Sequence, residues 1–282
     1  MSPTTIALRA GWSRGIIELR QSFTNAGDLL NHLLWPLLML IAMFFLRNVS
    51  FGHSGFLLGT LALPSILGMN AALGMLSMSQ QLTADREDGT LLRAKSTPNG
   101  MLGYLVGKLV SVSGGLVADL AIFLIPGLFL IDGLAISSAS SWLTLSWVLA
   151  LGLVATLPMG AVLGSVFTSR TSQGLMTLPV LAMMAISGIF YPIASMPSWL
   201  QWIAQTFPFY WLGLGMRSAL LPASAVHVEL GESWRHLQTV GVLAAWAAVG
   251  LALAPMVLRR MARRESGSSV AQRRTEALQR AR

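Results

Sequence analysis

Long apolar runs recur along the chain and restrict it to one class of protein. A helix needs roughly 20 residues to cross the about 30 Å of hydrocarbon in a bilayer. Six apolar runs have about this length, and they cover residues 29–46, 56–79, 104–131, 142–167, 174–190 and 237–258. Only 11% of the 282 residues are charged, too few to cover the surface of a soluble protein. The sequence therefore predicts an all-α, polytopic membrane protein with six transmembrane helices over residues 28–258.

The distribution of lysine and arginine sets the predicted orientation. If both ends of the chain are cytoplasmic, all but three of the 19 lysines and arginines lie on that side, the exceptions being Arg47, Arg217 and Arg235. An excess of these residues is typical of cytoplasmic loops. We therefore expect both termini in the cytoplasm, with a basic tail over residues 259–282 close to anionic lipid head groups. The formal net charge of +8 then requires no nucleic-acid partner.

An amphipathic segment, residues 1–27, precedes the first apolar run. Apolar side chains recur in it at spacings of three and four residues, and these are Leu8, Trp12, Ile16, Leu19 and Phe23. The opposite face carries Arg14, Glu18 and Gln21. This pattern predicts an interfacial helix on the cytoplasmic membrane surface. Such a helix is either a simple anchor or an element that a cytoplasmic partner grips, and the pattern favours neither.

The loop between the second and third apolar runs is dense in charges of both signs. The second helix can extend to Asp88, where Gly89 is a natural C-terminal stop. Thr90 can then cap a short amphipathic helix that Pro98 ends. The pattern predicts a short, charged helical elbow that projects into the cytoplasm. Both a solvated loop and a docking element for another protein fit it.

Several motifs resemble the ATP-binding-cassette (ABC) type-2 permease family. The elbow has a Glu-x-Gly-Thr-Leu core at residues 87–91, followed by Pro98, and Gly107 and Lys108 open the next span. The proline- and aromatic-rich residues 191–221 are similar to the segment of short broken helices that this family places between its fifth and sixth spans. The six-span topology and the leading interfacial helix also match. Within the family, the chain most resembles the daunorubicin-resistance-type permeases of bacteria.

This resemblance implies the permease subunit of an exporter in the bacterial cell (inner) membrane. The elbow would be the coupling helix, which receives motion from a separate ABC ATPase subunit. Its coupling residues would be Asp85, Arg86, Glu87, Asp88, Gly89, Thr90, Leu91, Arg93 and Lys95. The family pairs two permeases with two ATPases, so we expect a homodimer or a heterodimer with a related permease. The substrate would be an amphipathic drug-like molecule or a lipid. The alternatives are export of a polysaccharide or an ion, or a non-transporting role in membrane assembly.

The sequence carries no recognisable nucleotide or metal site. A phosphate-binding loop needs Gly-x-x-x-x-Gly-Lys-Ser/Thr, but Leu109 follows Gly107 and Lys108, and Leu102 holds the place of the earlier glycine. The chain has no cysteine, and its four histidines lie at no metal-ligand spacing. An intramembrane lipid phosphotransferase would need further aspartates at set positions after Asp88 to hold its metal ions, and these are missing. We therefore expect no enzyme activity and no cofactor on this chain, with ATP and magnesium bound by the partner ATPase.

Five side chains form the predicted substrate pathway. Asp119 lies near the centre of the third predicted span, where a charge is expensive, so it either contacts a substrate or ties helices together through a hydrogen bond. Met183 and Met184 either offer deformable apolar surface to substrates or fill packing gaps. Phe190 and Tyr191 begin an outer aromatic segment, which is either a gate or an interfacial belt.

Overall fold

The structure is a computed structural model that describes residues 2–49, 58–167 and 170–264. Within these ranges the chain forms helices and no strand. The helices are α1 (Pro3–Ser22), α2 (Ala26–Leu46), α3 (Leu58–Glu87), α4 (Thr90–Lys95), α5 (Gly100–Leu130), α6 (Ala139–Val166), α7 (Arg170–Ile186), α8 (Ser198–Thr206), α9 (Pro208–Leu220) and α10 (His236–Arg264). Short 3-10 turns lie at Ile193–Ser195, Ala223–Val228 and Leu230–Glu232.

In the part of the chain that the structure describes, five helices are long and apolar enough to cross a membrane, namely α2, α3, α5, α6 and α10. A shorter apolar helix, Ser172–Ile186, lies within α7. The prediction of an all-α polytopic membrane protein is therefore confirmed. Most ends differ from the predicted ones, because the helices extend past their apolar runs into polar sequence. The start of the second predicted run and residues 265–282 of the basic tail lie outside the described residues.

The fifth predicted run, residues 174–190, is helical only as far as Ile186. Gly188 has a φ of 70°, a left-handed conformation that ends the helix at little cost for a glycine. Pro192 follows, and α8 and α9 then replace a continuous helix with two short ones. The predicted broken helices between the fifth and sixth spans are therefore present, and the helix before them is shorter than expected.

Helix α1 packs lengthwise on α5 along a seam of small residues. Ala7, Gly11 and Gly15 are the buried residues of α1, and they face Gly103 and Gly107 of α5. A Cβ atom at Gly11 would lie 2.3 Å from the carbonyl oxygen of Gly103, so the two backbones touch. The sequence pattern predicted the helix but not this seam. The placement of α1 on the membrane surface stays a prediction.

The outward faces of α1 and α2 are apolar. Leu8, Trp12 and Ile16 of α1 are exposed, as are Phe45 and most other large side chains of α2. Apolar surface of this extent is typical of contact with lipid on a spanning helix such as α2, and on α1 it fits the predicted position at the membrane surface. The densest core lies elsewhere, where α9 is enclosed by α3, α6 and α10 and buries all but one of its 13 residues.

Candidate functional site

The elbow is formed by the end of α3 and by α4. Gly89 separates the two helices with a φ of 84°, a conformation that glycine adopts without strain. The backbone N–H of Thr90 donates to Asp88 Oδ1 at 2.8 Å. The predicted stop and the predicted short helix both match the structure, but the cap differs. Asp88 provides the capping oxygen, and Thr90 is the first residue of α4.

Helix α4 has one buried face and one charged face. Leu91 and Ala94 are buried against α3 and α5. Arg93 and Lys95 are exposed on the other side. The elbow is therefore attached firmly to the spanning helices while it presents cationic side chains outward. Of the other predicted coupling residues, Asp88 is exposed and Arg86, Glu87, Gly89 and Thr90 are partly buried.

Asp85 is the buried one of the three acidic residues among the predicted coupling residues. Its Oδ2 accepts a hydrogen bond from the Tyr104 hydroxyl at 2.6 Å and lies 2.9 Å from Lys108 Nζ. Lys108 Nζ also lies 3.0 Å from Glu18 Oε2 on α1. We call Arg14, Glu18, Asp85, Tyr104 and Lys108 the charge cluster. It joins α1, α3 and α5 directly behind the elbow.

Glu18 is held ionised within the charge cluster. Burial by itself raises the pKa of the Glu18 carboxyl, but Lys108 and Arg14 outweigh burial and hold this pKa below its usual value. Arg14 Nε donates to Glu18 Oε1 at 2.8 Å, one helical turn away. Sequence analysis placed Glu18 on the polar face of α1 and Lys108 in a family motif, but nothing in either pattern paired them.

A polar cavity of about 450 Å³ lies beside the charge cluster, between α1, α2, α3 and α5. Asp119 lines it, with Oδ1 at 2.5 Å from His32 Nδ1. Phe23 stacks on the His32 ring with the centroids 4.4 Å apart. Asp119 thus connects α5 to α2 and also faces the cavity, so both of the roles predicted for it stay open.

The other predicted pathway residues lie away from Asp119. Met183 lines an apolar cavity of about 390 Å³ between α3, α6, α7, α9 and α10. Phe190 and Tyr191 line a third cavity of about 580 Å³ against α2 and α3. Met184 is buried in the core. The structure therefore distributes the five side chains over three cavities and the core.

A buried ion pair at the opposite end of the bundle was missed by sequence analysis. Arg217 Nε donates to Glu229 Oε1 at 2.6 Å, and Arg217 Nη1 donates to the carbonyls of Gly188 and Ile189 at 3.0 and 3.1 Å. The side chains of Arg217 and Glu229 are 1% and 0% exposed. The pair therefore fastens α9 to the end of α7 and to the segment before α10.

One motif-like spacing has a structural explanation. Residues 11–15 read Gly-Trp-Ser-Arg-Gly, the spacing of a hydrolase nucleophile elbow. That motif requires a strand before the serine, whereas Ser13 lies exposed within α1 and the two glycines form the seam with α5. Among the described residues, no three His, Cys, Asp or Glu side chains are grouped to hold a metal ion.

Comparison with known proteins assigns the family. A family model described as ABC-2 family transporter protein matches residues 61–254, which run from α3 to α10 and include the elbow and the broken helices. No curated protein matches the chain. The matched region covers more than half of the chain and contains most of the motifs on which the resemblance rested. The chain therefore belongs to the ABC-2 family of transporter proteins, the membrane components of ABC transporters.

Proposed function

We propose that this protein is the permease subunit of an ATP-driven exporter in the bacterial cell membrane, coupled to a separate ATPase subunit. Family membership implies an ABC ATPase as partner. The ATPase would bind ATP and magnesium, and this chain would bind neither. The charged face of α4 carries the proposal for where that partner docks, because Arg93 and Lys95 are exposed while the opposite face is fixed to the bundle.

The contacts of the elbow support a coupling role. A displacement of α4 acts on α3 and α5 directly, because Leu91 and Ala94 are buried against them. Asp85 carries the same displacement to α1 through Lys108, which contacts both Asp85 and Glu18. Close-packed elements of this kind move as units and do not deform smoothly. ATP-driven motion at the elbow would therefore shift α1, α3 and α5 together.

The cavities support an amphipathic substrate. Two of them, of about 390 and 580 Å³, have mostly apolar linings, and the third, of about 450 Å³, is mainly polar. A drug-like molecule or lipid with one polar end matches both kinds of surface. A second permease, either another copy of the chain or a related one, would pack on the exposed apolar face of α7, which carries Leu175 and Leu178.

Purification with the native partner tests the proposal. The tagged chain is extracted from its native membrane in mild detergent, and co-purifying proteins are identified by mass spectrometry and assayed for ATP hydrolysis. We expect a stoichiometric ABC ATPase whose turnover is inhibited by vanadate. Absence of an ATPase across several mild detergents and in crosslinked membranes would overturn the exporter assignment.

A pair of double variants tests the docking surface. Arg93→Glu with Lys95→Glu reverses two charges on the exposed face of α4, and we expect recovery of the ATPase to fall at least tenfold. The matched control is Arg259→Glu with Arg260→Glu, which reverses two exposed charges at the end of α10. The control should retain the ATPase. Equal recovery with both double variants would contradict docking at α4.

A further inference from the structure

The polar cavity between α1, α2, α3 and α5 has an excess of negative charge. Its lining includes four carboxylates and two permanent cations, namely Glu18, Asp28, Asp85, Asp119, Arg14 and Lys108. The apolar cavities contain no such groups in their linings. The excess is two negative charges if His32 is neutral and one if His32 is protonated. In either state the cavity attracts cations.

The two cations are engaged at one end of the cavity. Lys108 contacts Glu18 and Asp85, and Arg14 contacts Glu18. Among the described residues, no lysine or arginine forms an ion pair with Asp119, whose polar partner is His32. The excess negative charge of the cavity therefore lies at Asp28, which is exposed, and at Asp119, which is partly buried and has His32 as its partner.

Asp119 lies within the membrane-spanning part of the bundle. It follows Lys108 by 11 residues, which is about 16 Å along α5, and its partner His32 lies about 9 Å into α2. A carboxylate at such a depth needs water or a cationic partner. The cavity provides room for one, because its volume of about 450 Å³ falls in the range of about 300–1,000 Å³ typical of small-molecule sites.

We propose that this cavity binds the protonated amine of an amphipathic organic cation, with Asp119 as the residue that contacts the ammonium group. The ammonium N–H groups are donors, and the Asp119 carboxylate is an acceptor with capacity beyond its bond to His32. His32 is a positioning residue, held by its bond to Asp119 and by the Phe23 ring. Val112 and Leu116 add apolar lining for the adjoining part of the ligand.

The proposal names the substrate class for the proposed exporter, and in that respect it rests on the proposed function. The binding site itself can be measured without the ATPase. The full chain is purified into nanodiscs of neutral phosphatidylcholine, and the probe is dansylcadaverine, whose primary amine is protonated at pH 7. The matched probe is N-acetyl-dansylcadaverine, which has the same fluorophore and no charge.

We expect saturable binding of dansylcadaverine by the wild-type chain and at least tenfold weaker binding of the acetylated probe. Asp119→Asn should weaken binding of the amine at least tenfold and leave binding of the acetylated probe unchanged. The control Asp132→Asn, at an exposed aspartate just after α5, should bind both probes as the wild type does. The thermal unfolding midpoint of each variant shows whether it is folded.

Equal affinity of the wild-type chain for the two probes would overturn the proposal, and this measurement needs no variant. Equal affinity of the wild type and a folded Asp119→Asn variant for the amine would also overturn it. Either result leaves the ATPase experiment unaffected. Conversely, amine-specific binding by a chain that recovers no ATPase would contradict the exporter assignment and still support the cation site.

Discussion

The two ends of the helix bundle handle buried charge in opposite ways. Near α8 and α9, Arg217 and Glu229 are almost completely buried, and the guanidinium also donates to two backbone carbonyls. Near the elbow, the charge cluster has partly exposed members, and it borders a cavity of about 450 Å³. The first pair is enclosed by protein, whereas members of the second group line open space.

This difference indicates that the end near α9 is held in one arrangement, whereas the end near the elbow can change its arrangement. A fully buried ion pair holds its neighbours in one arrangement because losing either partner leaves an uncompensated charge. Rearrangement costs less free energy for a partly hydrated charged group, since water can replace a lost partner. The α9 end is therefore expected to stay fixed while the elbow end changes shape.

The largest expected effect is at Arg217. Arg217→Met leaves the Glu229 carboxylate buried without its cation, so the free energy of unfolding should fall by about 3–5 kcal/mol. Chemical unfolding in detergent, followed by tryptophan fluorescence, measures this change. Arg235→Met is the matched control, because Arg235 is only partly buried and lies over the Trp211 ring. The free energy of unfolding of Arg235→Met should fall much less than that of Arg217→Met.

A double variant sharpens that result. Arg217→Met combined with Glu229→Met removes both charges and replaces them with apolar side chains of similar volume. The double variant should be more stable than Arg217→Met alone, since no buried charge is left without a partner. If the double variant is no more stable than Arg217→Met alone, the stability of this end does not depend on charge compensation.

The second effect concerns the seam that holds α1 at the elbow end. Gly11→Leu would place a side chain where a Cβ already lies 2.3 Å from the Gly103 carbonyl oxygen, so α1 must move away from α5. We expect a loss of about 1–3 kcal/mol in the free energy of unfolding. Gly241→Leu is the control, because nothing lies within 4 Å of a Cβ at Gly241 on α10. Equal losses would show that the seam does not hold α1.

The sequence predicted helices well and contacts poorly, for a physical reason. Apolar runs and Gly89 determine local structure, so the spans and the elbow could be located within a few residues. Which side chains meet depends on how helices distant in the sequence pack. The contacts of Lys108 with Glu18 and of Asp119 with His32 join residues 90 and 87 positions apart, and a single sequence holds no signal for them.

At the elbow, the charge pattern of the sequence and the observed burial of the side chains differ. Asp85 was grouped with its exposed neighbours because the local sequence is charged throughout. Asp85 lies in the last turn of α3 and contacts Tyr104 and Lys108 of α5, whereas Asp88 follows the end of α3 and is exposed. The burial of Arg217 was missed for a related reason, because charge counts treat every arginine outside a span as a topological signal.

The third prediction is a pH dependence at the charge cluster. The pKa of Glu18 in the folded chain lies below its reference value of 4.5. Its ionised form therefore stabilises the fold above pH 4.5, and this contribution is lost as the pH falls through the folded-state pKa. The stability difference between wild type and Glu18→Gln should be largest at pH 7 and shrink below pH 4.5. Glu232→Gln, at an exposed carboxylate, is the control. A difference that stays constant across this range contradicts the role of Glu18.

The smallest effect is expected at Arg14, and it completes the comparison with Arg217. The Arg14 side chain is 38% exposed and pairs with Glu18 one turn away, so Arg14→Ala should cost only about 0.3–0.5 kcal/mol. Salt screens exposed pairs, and this small loss should nearly vanish at about 1 M salt, whereas the loss from Arg217→Met should persist there because that pair is buried. The same unfolding measurement at low and high salt checks both. If Arg14→Ala were as costly and as insensitive to salt as Arg217→Met, the elbow end would be as rigidly fastened as the α9 end, and its role as the responsive end would be wrong.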